Sequence, residues 1–200
     1  MKTTRLEAFS DGVIAIIITI MVLELRVPHE SGFAALRPLL PVLLSYVLSF
    51  VNVGIYWNNH HHLLHVTEHV RGGMLWANLH LLFWLSLFPA ATAWMGETHF
   101  SAPAMALYGV VLLMAAVAYT VLVVVILRVE GRDSVVARAL GSDYKGKVSL
   151  ALYALAIPLA FVHPGISGAL YIAVTLIWLI PDRRIERVVF ASRAAERQPS

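Results

Sequence analysis

Three side chains with ion-binding chemistry, Ser10, Asp11 and Thr19, interrupt an otherwise aliphatic segment near the start of the chain. The segment from Leu6 to Leu25 is long enough to cross a bilayer as a helix, because about 20 residues suffice. A carboxylate in or near hydrocarbon is costly unless it is paired or faces water. These residues therefore indicate either an ion path or a polar network that holds a membrane helix in place.

One face of this helix combines aliphatic side chains with a hydroxyl. Ile16, Thr19, Ile20 and Leu23 have the spacing of residues that share a helical face, and Gly12 extends the stripe by one turn. Several such helices around a symmetry axis would form apolar rings that gate by dewetting, and a threonine ring that replaces part of an ion's hydration shell. The same stripe is also typical of a membrane helix that simply packs, so the periodicity alone leaves both interpretations open.

The composition indicates one integral membrane domain. The chain of 200 residues is 59% hydrophobic and 14% charged, with a mean hydropathy of +0.75, whereas soluble domains carry about 25% charged residues. No cysteine is present, which excludes disulfides and thiolate chemistry.

The apolar runs predict a six-helix, all-α bundle in residues 1–182, followed by a basic cytoplasmic tail in residues 183–200. The predicted helices cover about residues 6–25, 39–59, 74–95, 104–127, 148–163 and 165–181.

The basic residues predict the orientation. With six crossings, 13 of the 15 Lys and Arg residues lie on the side of the two termini, and only Arg26 and Arg37 lie opposite. Because cytoplasmic loops carry the excess of basic residues, both termini are expected in the cytoplasm. The high pI of about 9.4 is explained by these flanks, so we expect a plasma-membrane protein in contact with lipid and no nucleic-acid partner.

The histidines leave several alternatives open. His61, His65 and His69 share a helical face. Such a face can bind a metal, sense pH or lie at the membrane interface. Glu68 is the only nearby carboxylate that could complete a metal site. We predict no metal site. Glu24 lies at the end of the first predicted helix and is either part of a carboxylate ring at an outer mouth or a solvated helix end.

Two other classes of protein fit parts of the sequence. A proton-coupled secondary transporter could use Asp11 as its carrier, although such proteins usually bind near mid-membrane on broken helices. A haem-binding redox protein could use His60 or His62 with His80 as ligands. No nucleotide-binding loop or hydrolytic constellation is present, so the sequence does not predict an enzyme.

A family resemblance favours the channel. The pattern Arg-x-x-x-Phe-Ser-Asp-Gly-Val-x-Ala-Ile over residues 5–16 resembles the signature of the transmembrane protein 175 family of potassium channels. Three further patterns agree with that family: Trp-x-x-His over 57–60, Asn-Leu at 78–79 and Leu-x-Pro over 87–89.

The resemblance implies a potassium-preferring channel without a cofactor, assembled as a homotetramer whose first helix lines the pore. Ile16 would form the narrowest ring, with Thr19 next on the path and Leu23 toward the outer side. The looped Thr-Val-Gly-Tyr-Gly filter of ordinary potassium channels is absent from the sequence. The resemblance also implies a polar network that holds the pore helix, in which Asp11 accepts a hydrogen bond from His60 or Asn78. The residues expected in this network are Arg5, Ser10, Asp11, Trp57, His60 and Asn78.

Overall fold

The computed structural model of the chain describes residues 3–25, 28, 32–67, 69–131, 134, 137 and 144–179. Within these ranges the regular secondary structure consists of seven α-helices and one 3₁₀ helix. The all-helical prediction is confirmed, whereas the predicted tail at 183–200 lies outside the described residues. The elements are α1 (Thr3–Leu23), the 3₁₀ helix (Phe33–Leu39), α2 (Leu40–His65), α3 (Gly72–Ser86), α4 (Phe88–Glu97), α5 (Ala102–Glu130), α6 (Tyr144–Leu159) and α7 (Pro164–Leu179).

Six helical units correspond to the six predicted crossings. Four stretches are long and apolar enough to span a membrane, namely Thr3–Leu23, Phe33–His65, Gly72–Glu97 and Ala102–Glu130. The last two units, α6 and α7, have 16 residues each, which corresponds to about 24 Å of helix. They are joined by a short turn and pack against each other as a hairpin.

The third unit is divided into α3 and α4 at Leu87, although the sequence predicted one helix over 74–95. Pro89 explains the division, because proline has no N–H to donate and its ring crowds the carbonyl four residues earlier. The proline lies in the first turn of α4, where a missing donor costs least. The second unit also differs from the prediction: α2 continues to His65 rather than ending near residue 59.

The packing places α2 between two parts of the bundle. Helix α1 packs against α2, α3 and α4, whereas the α6–α7 hairpin packs against α5 and, through α7, against α2. Close packing around α5 depends on Gly109, where an added Cβ would collide with the Tyr171 hydroxyl. One face of α2 therefore supports α1, and another supports the hairpin.

Candidate ion-conducting helix and its polar anchor

Helix α1 has one buried face and one exposed face within the protomer. Ile14, Ile17 and Met21 are at most 3% exposed, and they pack into the core. On the other face Ile16 is 59% exposed and Leu23 is 78% exposed. Gly12, Thr19 and Ile20 are exposed on the same face. The predicted stripe is thus the surface of α1 that the rest of the protomer leaves uncovered.

The Thr19 hydroxyl presents oxygen lone pairs on this exposed face. Its Oγ1 donates a hydrogen bond to the Ile16 carbonyl at 2.9 Å. Because the hydroxyl proton is used inside the helix, the oxygen acts toward its surroundings as an acceptor. An oxygen of this kind suits a cation that has lost part of its hydration shell.

A buried chain of hydrogen bonds joins α1, α2 and α3. Asn78 Nδ2 donates to Ser10 Oγ at 2.9 Å, and Ser10 Oγ in turn donates to the Leu6 carbonyl at 2.9 Å. His60 Nε2 lies 2.7 Å from Asn78 Oδ1; since the amide oxygen can only accept, Nε2 is the donor. All three polar side chains are fully buried, so this chain fixes the start of α1 against its neighbours.

The second ring nitrogen of His60 is not part of that chain. His60 Nδ1 is buried and has no hydrogen-bond partner within the described part of the protein. The imidazole is therefore held through Nε2 alone, and its position depends on Asn78.

Asp11 belongs to a separate contact with α2. Trp57 Nε1 donates to Asp11 Oδ1 at 3.0 Å, so the expectation that Asp11 accepts from His60 or Asn78 is wrong. The reason is helical geometry: successive residues point about 100° apart, since a turn takes 3.6 residues. Ser10 consequently faces the buried amide of α3, and Asp11 faces α2. Arg5 is exposed and takes no part in either contact among the described residues.

A contact between a carboxylate and an imidazole lies one helical turn from the Asp11–Trp57 contact. His61 Nδ1 is 2.8 Å from Glu7 Oε1, and the rings of Trp57 and His61 stack with centroids 6.0 Å apart. Sequence reasoning missed this pair. The pair could have been found from the spacing of the residues. Because α1 and α2 run antiparallel, four residues back from Asp11 to Glu7 correspond to four residues forward from Trp57 to His61.

The remaining histidines make separate contacts. His65 stacks on His61 with ring centroids 6.0 Å apart, and the His69 backbone N–H donates to Glu130 Oε1 at 2.9 Å. No group of three or more potential metal ligands occurs among the described residues. On α3, Trp84 Nε1 donates to His80 Nε2 at 3.0 Å, which engages a nitrogen that the haem hypothesis requires. Glu24 is exposed immediately after the end of α1.

These features define a class of protein: an all-helical, multi-pass membrane protein whose first helix is anchored by polar contacts and leaves an apolar, threonine-bearing face uncovered. The sequence profile of the family described as endosomal/lysosomal potassium channel TMEM175 matches residues 5–89. A potassium channel from Chryseobacterium sp. (strain P1-3) is 56% identical over 187 residues, which cover 94% of this chain and 97% of that protein. The chain belongs to the TMEM175 family.

Two further comparisons show how far the similarity extends. The crystal structure of a lysosomal potassium-selective channel TMEM175 homolog from Chamaesiphon minutus has a TM-score of 0.78 and 26% identity, and the match covers 89% of this chain and 96% of that one. The zebrafish (Danio rerio) endosomal/lysosomal proton channel TMEM175 is 42% identical over 84 residues, which are 36% of this chain but only 16% of the zebrafish protein.

Proposed function

We propose that this chain is a potassium-preferring cation channel of the plasma membrane, in which α1 from each subunit lines the pore of a homotetramer. One observation carries the proposal: the exposed face of α1 contains Ile16, Thr19, Ile20 and Leu23, and the opposite face is buried in the protomer. The relatives support the same function, because the Chryseobacterium protein is named a potassium channel.

The mechanism follows from the side chains along this face. Rings of Ile16 and Leu23 would form hydrophobic constrictions that exclude water when narrow and conduct when wetted. Four Thr19 hydroxyl oxygens between them would offer partial coordination to a dehydrated cation. Conduction of this kind is passive, so it needs no cofactor and no catalytic residue.

The polar anchor has a mechanical role in this proposal. A pore lined by one helix per subunit conducts selectively only if each helix keeps its rotation and depth. The buried chain through Asn78 and the Asp11–Trp57 contact fix α1 at its first turns. We assign these residues to positioning of the pore helix rather than to direct binding of the ion. The carboxylate of Glu24 would lie at the outer mouth and attract cations, with both termini of each subunit in the cytoplasm.

A proton-coupled transporter that uses Asp11 has less support. The Asp11 carboxylate accepts a hydrogen bond from Trp57 and lies in the first half of α1, whereas transporter sites usually lie near the membrane midplane. The proton nevertheless deserves testing as a second permeant ion, because the zebrafish relative is named a proton channel.

The absence of native cysteine allows a direct test of the pore lining. Ile20→Cys places a single thiol on the proposed pore face, and Ile172→Cys places a matched thiol on an exposed part of α7. A charged, membrane-impermeant thiol reagent should reduce potassium flux through Ile20→Cys in liposomes and leave Ile172→Cys unchanged. Flux of protons, followed with a pH-sensitive dye, identifies the permeant ion in the same vesicles. Equal sensitivity of the two variants would contradict the proposal.

The subunit number needs a separate measurement. Native mass spectrometry of the purified protein should give the mass of four chains of 22.1 kDa. A stable dimer or monomer would contradict a four-fold pore.

A further inference from the structure

A cavity lies between α2, α5, α6 and α7, on the side of α2 that does not face α1. It is an open cleft with about 40 Å³ of internal space. Aromatic rings and short aliphatic side chains make up most of its wall, and amide and hydroxyl groups are interspersed among them. The residues that matter most for its chemistry are Tyr56, Asn59, Ala116, Ser149, Tyr153 and Trp178.

Two tyrosine hydroxyls in the wall have unused hydrogen-bonding capacity. Within the described ranges, the hydroxyls of Tyr56 and Tyr153 have no hydrogen-bond partner, although Tyr153 is only 4% exposed. Both hydroxyl oxygens can be reached from outside the protein. Among the described residues, the side-chain atom that is both fully buried and without a hydrogen-bond partner is His60 Nδ1, not a tyrosine oxygen. Buried phenol groups normally have a partner. Both hydroxyls are therefore available to an acceptor group inside the cavity.

The indole N–H of Trp178 and the hydroxyl of Ser149, which also line the wall, already make hydrogen bonds within the protein. Trp178 Nε1 donates to Ser149 Oγ at 2.8 Å, and Ser149 Oγ donates to the Lys145 carbonyl at 2.8 Å. This contact ties the end of α7 to the start of α6 and leaves the indole ring as an apolar wall. The cavity thus combines unpaired donors with apolar surface, which is the requirement for an amphiphilic ligand.

The position of the cavity specifies the charge of that ligand. Gly146 is part of the wall, and Lys145 precedes it at the start of α6. Lys145 lies one helical turn before Ser149 and so shares the face of α6 that lines the cavity, whereas Lys147, two residues before Ser149, lies on the opposite face. This is the end of the bundle that carries the N-terminus, because Thr3 Oγ1 donates to the Thr67 carbonyl just beyond α2. Lysines at a membrane surface attract anionic lipid headgroups.

We propose that this cavity is a binding site for an anionic phospholipid. The phosphate and ester oxygens accept hydrogen bonds from Tyr56 and Tyr153, Lys145 neutralises the headgroup, and an acyl chain packs against Ala116 and Trp178. Every component of the site belongs to a single protomer.

The site also touches the segment of α2 that anchors α1. Tyr56 and Asn59 line the cavity, and their sequence neighbours Trp57 and His60 make the contacts that position α1. Occupancy of the cavity therefore stabilises the anchoring turns of α2 and, through them, the position of α1; the consequence for conduction rests on the proposed function, whereas the binding itself does not.

Brominated lipids test binding without any measurement of conductance. The protein is reconstituted in nanodiscs that contain either brominated phosphatidylglycerol or brominated phosphatidylcholine, and its tryptophan fluorescence is measured. The quenching of Trp178 is the difference between the quenching of wild type and that of Trp178→Phe. We expect Trp178 to be quenched more strongly by the anionic lipid. Lys145→Gln should weaken that preference by about fivefold, whereas Lys147→Gln, on the opposite face of α6, should leave it unchanged.

Hydroxyl-specific variants separate the site from general lipid contact. Tyr56→Phe and Tyr153→Phe remove the two donors with almost no change in volume, and Tyr46→Phe is the matched control on α2 outside the cavity. Native mass spectrometry should show fewer retained phosphatidylglycerol molecules for the first two variants and wild-type retention for Tyr46→Phe. Any one of three results would overturn the proposal. These are equal quenching by both lipids, equal lipid retention in all three variants, and quenching that appears only after removal of residues 180–200.

Discussion

The indole N–H of Trp57 donates to the Asp11 carboxylate at 3.0 Å, one helical turn from the contact between the Glu7 carboxylate and the His61 imidazole. Helices α1 and α2 are consequently joined by two successive polar contacts outside the buried chain that runs through Asn78. The three contacts differ in burial, and burial determines how much each one stabilises the pore helix.

Replacement of Trp57 by phenylalanine should destabilise the protein by about 1 kcal/mol, because the donor to Asp11 is lost from a partly exposed site. Thermal unfolding in detergent, followed by circular dichroism, measures the change. Trp76→Phe is the control, since the Trp76 ring is 76% exposed in the protomer. Equal melting temperatures for the two variants would mean that the Asp11 contact contributes nothing.

Asn78→Leu should have a larger effect than Trp57→Phe, because it removes both buried side-chain bonds of the chain and leaves Ser10 and His60 without that partner. We expect a loss of about 1 to 4 kcal/mol, given about 0.6 to 2 kcal/mol for each of the two hydrogen bonds within a membrane bundle. Asn58→Leu makes the same substitution at an exposed position of α2. Similar unfolding temperatures for the two leucine variants would argue against an anchoring role for Asn78.

Glu7→Gln should change stability by about 0.5 kcal/mol or less, even though the Glu7–His61 distance is short. The side chain of His61 is 41% exposed, and exposed ion pairs are weakened by solvent and by the entropy of fixing two side chains. The comparison with Asn78→Leu in the same unfolding assay is the check. A larger loss for Glu7→Gln would show that the ion pair, and not the buried amide, is the main anchor.

Gly109→Ala should destabilise the bundle by about 1 to 3 kcal/mol through overpacking. The new Cβ would collide with the Tyr171 hydroxyl, which donates to the Met105 carbonyl at 2.9 Å, and it would lie 3.0 Å from Ile157 Cγ1. Gly54→Ala is the matched control, because nothing lies within 4 Å of its added Cβ. That control should be neutral or stabilising by up to about 1 kcal/mol; destabilisation of both variants to the same extent would rule out the packing explanation.

The helical architecture could be predicted because its signal is distributed over whole segments. Runs of about 20 apolar residues identify membrane helices regardless of their neighbours. The helix ends were less predictable for local reasons. The apolar run predicted that the second helix ends near residue 59, yet polar residues continue a helix readily where it leaves the apolar region, and α2 extends to His65.

The exposed stripe of α1 could likewise be predicted as one face of that helix. Ile16 and Leu23 are exposed and Ile17 is buried, as a 3.6-residue period requires. Whether that face meets water, lipid or another subunit is not encoded in its periodicity. The function assigned to the stripe therefore rests on the proposal and on its tests.

The members of the polar network could be predicted better than their pairing. Ser10, Asp11, His60 and Asn78 were expected in one network, and the structure brings three of them together. Which side chain meets which partner depends on the rotation of each helix about its axis, and that rotation is set by packing over the whole bundle. Asp11 was therefore paired wrongly, and the Glu7–His61 contact was missed.

Potassium flux through the purified protein in liposomes tests the central claim that α1 lines the pore. Three variants are compared with wild type: Ile16→Asn, Thr19→Val and the control Ile172→Asn on an exposed face of α7. We predict that Ile16→Asn raises flux by wetting the narrowest ring, that Thr19→Val lowers the preference for potassium over sodium, and that Ile172→Asn behaves as wild type. Unchanged flux and selectivity in both α1 variants, or an equal rise in Ile172→Asn, would contradict a pore along α1.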